Sequence, residues 1–261
     1  MLKRKGPQSA GIAALTLALV FTVMPGGVRS AKAQGSSDSQ IQADVQKALN
    51  KKQYKDIHAT VHNGEVTLQG SVDVYADKES ADNRVQHVKN IKGVDNLIGV
   101  AGSKLEDVAL RNKLANRLAT DRVGYGTTAF NSISVGVHDG VVTLAGTVYG
   151  PVDKDSALSL VANTAGVKDI IDNLDVAPLS PMDDQLRVRL ANAIYGTMQL
   201  EKYALDPAKP IRITVINGNV TLTGVVDSKA DRDIAGIRAN SVSGVFKVTN
   251  DLQVAGTHPG K

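Results

Sequence analysis

One nine-residue pattern occurs three times in the chain: His62-Asn-Gly-Glu-Val-Thr-Leu-Gln-Gly70, His138-Asp-Gly-Val-Val-Thr-Leu-Ala-Gly146 and Ile216-Asn-Gly-Asn-Val-Thr-Leu-Thr-Gly224. The copies lie 76 and then 78 residues apart, room enough for each to carry a complete small fold, so the chain must be an array of three like modules.

The pattern itself predicts a β-hairpin. Asn63-Gly64, Asp139-Gly140 and Asn217-Gly218 accept the positive φ angles of a two-residue type I′ turn. Counting outward from that turn pairs Val61 with Val66 and Ala59 with Leu68 in the first copy. It pairs Val137 with Val142 and Val135 with Leu144 in the second, then Val215 with Val220 and Ile213 with Leu222 in the third. Every copy thereby brings its apolar residues to one face of the ribbon and leaves threonines, such as Thr60, Thr67, Thr214 and Thr221, on the other.

A helix is expected before each hairpin. Ile41, Val45 and Leu49, then Leu110, Leu114 and Leu118, then Leu186, Leu190 and Ile194 recur at i, i+4 and i+8, a narrow apolar stripe. Ser103-Lys-Leu-Glu106 has the form of a capping box, and Ser180-Pro181 that of an N-cap followed by proline at the first helical position. A second helix is expected around Ala81 to Val88, Ala157 to Val161 and Ala230 to Ala239. It ends at Gly93-Val94, Gly166-Val167 and Gly244-Val245, with the glycine as a left-handed cap and the valine opening a third strand. The fold class is therefore α+β: three tandem modules of helix, strand, strand, helix, strand, with two helices on one face of a mixed three-stranded sheet.

The segment before the first module has the form of an export signal. Lys3, Arg4 and Lys5 precede an apolar stretch from Gly11 to Met24, and Ala31-Lys32-Ala33 is a small-x-small cleavage site. The apolar run is shorter than the ~20 residues a spanning helix requires, which favours cleavage near Ala33 over a retained anchor. The boundaries expected are a signal peptide at 1–33, modules at 34–102, 103–179 and 180–256, and a polar tail at 257–261. The signal carries five basic residues and no acid, so the mature chain has 25 basic and 26 acidic residues and a net charge of −1. The basic balance of the precursor thus gives no reason to expect a nucleic-acid partner. No cysteine is present, which excludes disulfides, a thiolate nucleophile and an acylated lipoprotein cysteine. Aromatic residues are only 3% of the chain, too few for a base-stacking platform.

These elements in this order resemble the BON domain, whose pattern is an amphipathic helix, an N-G-x-V-T-L-x-G hairpin, and a helix ending in Gly-Val before a last strand. The resemblance spans about residues 38 to 255. It implies a soluble periplasmic protein linked to envelope and osmotic stress, with chaperone-like behaviour towards exported proteins, or binding to anionic phospholipid at a membrane surface. It implies no enzyme and no cofactor. Self-association through exposed strand edges is a third, structural alternative.

Candidate sites are few. Gly124-Tyr-Gly126-Thr-Thr-Ala129 fits a relaxed dinucleotide fingerprint, but a helix precedes it and a strand follows, the reverse of what phosphate binding needs. His58 and His62 are four strand residues apart, roughly 13 Å, too far to share a metal ion. His87 and His258 are isolated, and His138 is a turn neighbour like His62. Asp77, Glu79, Asp82, Asp231 and Asp233 sit where a second helix begins, as first-turn acids favoured by the helix dipole. No nucleophile has a placed base, so no catalytic site is expected.

The copies differ most between first helix and hairpin, where the third carries Tyr195, Met198, Leu200, Lys202, Tyr203 and Leu205. Apolar and aromatic groups beside a cation can dock at a lipid surface or grip an unfolded client. The alternative is that they seal the small core of their own module or its junction with module two.

Overall fold

The computed structural model describes residues 32–101, 105–120, 128–206 and 209–256. The signal peptide as far as residue 31, the first two residues of the expected capping box, most of the Gly124–Ala129 stretch and the 257–261 tail lie outside the described residues.

The first module comprises α1 (Lys32–Ala48), β1 (Ile57–His62), β2 (Glu65–Val72), α2 (Tyr75–Gln86) and β3 (Gly93–Val100). The second repeats this order as α3 (Asp107–Thr120), β4 (Ser132–His138), β5 (Val141–Val148), α4 (Pro151–Ala162) and β6 (Asp169–Val176). The third contains α5 (Pro181–Tyr195), a one-turn α6 (Lys202–Leu205), β7 (Arg212–Ile216), β8 (Asn219–Thr223), β9 (Val225–Val226), α7 (Lys229–Asn240), β10 (Lys247–Asn250) and β11 (Gln253–Val254). In each sheet the second hairpin strand is central, antiparallel to the first and parallel to the last.

The hairpin registers are those expected from the turns. Val61 pairs with Val66, Val137 with Val142 and Val215 with Val220, and the flanking pairs follow. The turn residues have positive φ in all copies, 54° and 83° at Asn63-Gly64, 52° and 79° at Asp139-Gly140, and 51° and 75° at Asn217-Gly218. The helical stripes are buried, and each packs with its own hairpin into a separate core centred on Val66 and Leu68, Val142 and Leu144, or Val220 and Leu222. The last glycine of the repeat is fixed by packing. At Gly70 and Gly146, with φ of 117° and 121°, an added Cβ would overlap the carbonyl oxygen of Asp56, just before β1, or of Ser132, the first residue of β4.

Two expectations need correction. In modules one and two the second helix starts at Tyr75 and Pro151, six residues before the alanines that marked it. The residues preceding those starts, Val74 and Gly150, make no side-chain cap; in the second copy Pro151 at the first helical position was the available start signal. The Gly-Val repeat is also misaligned in the first copy. Lys92, Lys168 and Phe246 occupy one structural position, each donating its backbone amide to the turn glycine's carbonyl at 2.8, 2.9 and 2.9 Å. The residue two before it is therefore Asn90, Gly166 or Gly244, with φ of 66°, 101° and 96°. Asparagine does in copy one what glycine does in the others, and Gly93 lies in β3 instead. None of these residues is the helix cap, which falls at His87, Asn163 and Ser241.

One repeated device has no counterpart in the expected features. An aspartate of each first helix, one turn before its first core residue, accepts both backbone amides of the hairpin turn. Asp38 takes Asn63 and Gly64 at 2.7 and 2.9 Å, Asp107 takes Asp139 and Gly140 at 2.8 and 3.0 Å, and Asp183 takes Asn217 and Gly218 at 2.8 and 2.9 Å. These amides hold the Asp107 carboxyl below the ordinary carboxylate range. The sequence signal is an aspartate three residues before the first core position, Ile41, Leu110 or Leu186.

Candidate contact surface

The variable connector between first helix and hairpin is tied in each module to the second helix. In module one the Tyr54 hydroxyl donates to Ser80 Oγ at 2.8 Å. In module two Asn131 donates to Asp153 at 2.8 Å and accepts the Tyr149 amide at 2.9 Å. In module three the Tyr203 hydroxyl donates to Asp231 at 2.7 Å and accepts the Asp227 amide at 2.7 Å. Asp153 and Asp231 each stand at the third residue of their helix. Two unrelated side chains, an amide and a phenol, thus bridge the same two groups.

This arrangement decides what the third connector offers to solvent. Leu200 and Tyr203 lie in the module's core. Tyr195 packs partly against that core, and its hydroxyl donates to the Ile211 carbonyl. Burial raises the Tyr195 pKa, so the ring keeps its proton. Lys202 is paired with Asp227 at 2.7 Å and Asp231 at 3.0 Å, and those carboxylates hold its ammonium above the usual lysine value. Burial pushes the Asp231 carboxyl up, but the Tyr203 hydroxyl and the Lys202 ammonium outweigh it and the group stays below its ordinary value. Of the five residues Tyr195, Met198, Leu200, Lys202 and Tyr203, Met198 alone presents a freely exposed apolar side chain; Leu205 of the same connector joins it.

A surface group that the sequence reading missed lies at the third hairpin turn. Phe246 fills the position held by Lys92 and Lys168 in the other copies, and its ring is exposed. The signal was available once the repeats were aligned on Asn90 rather than Gly93.

The four described histidines are all exposed, and among the described residues no cluster of three or more potential ligands forms. No described helix is long and apolar enough to cross a membrane.

The sequence matches the family described as BON domain at residues 37–102, 106–178 and 190–256, so all three structural modules carry the pattern. The chain belongs to the BON domain family. It is 27% identical over 178 residues to Osmotically-inducible protein Y of Escherichia coli (strain K12), an alignment covering 66% of this chain and 86% of that protein. Among solved structures it matches CdsD, a structural protein of the Type III secretion system of Chlamydia trachomatis, at 16% identity and a TM-score of 0.24, over 82% of this chain and 92% of that one.

Proposed function

We propose that this BON protein is a non-enzymatic periplasmic protein of osmotic and envelope stress, and that it makes weak contacts with unfolded segments of exported proteins. The similarity to Osmotically-inducible protein Y supports the stress role. The distribution of exposed apolar side chains carries the client reading. Leu179, Met182, Met198, Leu205 and Phe246 are 76–87% exposed, and all belong to the third module or the link leading into it. Flexible methionines and isolated leucines suit many sequences weakly rather than one tightly.

The test is aggregation of a reduced, unfolded client followed by light scattering. The intact protein is expected to delay aggregation, and the variant with Met182, Met198, Leu205 and Phe246 changed to serine to lose most of that effect while unfolding as cooperatively as the parent. Equal protection by parent and variant would overturn the choice of surface.

A membrane-surface reading draws on one observation: Phe246 is flanked by Lys247 and lies two residues from Gly244, where the Arg189 guanidinium occupies the space a side chain would take. Apolar and cationic groups together suit anionic phospholipid. Salt-sensitive co-sedimentation with phosphatidylglycerol vesicles, lost on Phe246→Ser, would favour this reading over the first.

A further inference from the structure

Modules two and three share a pocket of about 320 Å³ that opens to solvent. One wall is a face of α3 bearing Arg111, Ala115 and Leu118; the other is Ile133 and Val135 of β4; and Arg212 reaches in from β7 of the third module. The β7 alternation explains that direction, since Ile213 and Val215 enter the core and Arg212 must point to the opposite face.

Arg212 is half-buried and meets no carboxylate among the described residues. Its neighbour on the protein side is the Tyr195 phenol, which stays neutral. Arg111 donates to the Asn112 side chain at 3.2 Å and meets no carboxylate among the described residues. Among the described residues no acid lines the pocket. Elsewhere the protein treats a buried guanidinium differently: Arg187 is given Asp184 at 2.5 Å and the Val215 carbonyl at 2.6 Å. Arg212 is only partly buried and Arg111 is exposed, so their guanidinium donors remain open to the pocket, where an incoming anion would meet two cations that no carboxylate among the described residues neutralises.

We infer that this pocket binds a small amphiphilic anion, a carboxylate on a short single apolar chain, with Arg212 and Arg111 on the head and Leu118, Ile133 and Val135 on the tail. The volume is near the lower limit of ligand pockets, ~300–1,000 Å³, so a two-chain phospholipid does not fit. The site is separate from the exposed apolar groups assigned to clients, and neither reading depends on the other.

Octanoate is the probe, titrated calorimetrically into the intact protein, with octanol and acetate as the comparisons. Saturable binding of octanoate is expected, with octanol and acetate each far weaker because one lacks the charge and the other the chain. Arg212→Gln should weaken octanoate about 30-fold and Arg111→Gln about threefold. Arg212→Lys should keep most of the affinity, and Arg238→Gln, on the exposed side of α7, all of it. If Arg212→Gln does not fold, the Arg111→Gln and Arg212→Lys results decide. Octanol binding as well as octanoate, or octanoate affinity indifferent to both arginines, would overturn the inference.

Discussion

The two junctions between modules are built differently. Between modules two and three, Phe130 packs against the third core, its ring centroid 6.0 Å from that of Tyr149. The Arg187 guanidinium lies 4.9 Å from the Tyr149 ring centroid, and Ser132 Oγ meets Thr223 Oγ1 at 2.9 Å. Between modules one and two, Tyr75 packs against the second core, and beside it α2 and α4 leave an open cleft of about 840 Å³. A cation over a ring contributes ~0.5–2 kcal/mol, and each satisfied polar contact about 1 kcal/mol. The second junction sums several such terms, where the first rests, among the described residues, on the Tyr75 ring and its hydroxyl's interaction with Asp169. Identical folds in series therefore need not be equally coupled, and modules two and three should behave as one cooperative unit.

The sharpest way to break that unit is Arg187→Ala. It strips the Val215 carbonyl and Asp184 of their buried partner, so urea unfolding should show a loss of about 3 kcal/mol shared by modules two and three. Phe130→Ala should cost about 2 kcal/mol, because the ring is only half-buried, and should split the transition by letting module three unfold apart from module two. Tyr75→Ala should cost about 1 kcal/mol and leave the main transition in place. Its readout is faster proteolytic cleavage between modules one and two.

The smallest effect is on pH. Burial, then Glu79 and Asp169, raises the Tyr75 pKa well above the ordinary tyrosine value, and burial and Asp184 raise that of Tyr149 with Arg187 opposing. A folded pKa raised in this way contributes stability that is complete below about pH 10, the unfolded tyrosine value, and is lost as pH rises from there towards the folded value. Alkaline titration should therefore loosen the first junction more than the second, since only the second has a cation on its ring. Tyr75→Phe should remove that sensitivity, as read by proteolysis at increasing pH.

Much of the scaffold was legible in the sequence because its determinants are local. A two-residue turn and a side-chain period of two leave one register for Val61 and Val66, and four-residue spacing leaves one helical face for Leu110, Leu114 and Leu118. Features resting on distant partners were not. Nothing within the connector shows that the Tyr203 hydroxyl will find Asp231, 28 residues on, and so that Leu200 and Tyr203 belong to the core. Asn90 hid for a related reason: backbone conformation, not residue identity, repeats at that position. The junctions were not legible, because Phe130, Tyr149 and Arg187 meet only through the placement of whole modules.

The aspartate that takes both turn amides closes each module on itself. It joins the first helix to a turn 25, 32 or 34 residues away, through connectors of three different lengths. Tandem copies of one fold are prone to exchange equivalent elements during folding. A helix borrowed from another copy would have to bring its aspartate to the wrong turn on a connector of the wrong span. Repetition of the clasp with variation of the tether thus lets three near-identical units fold side by side, each keeping its own first helix.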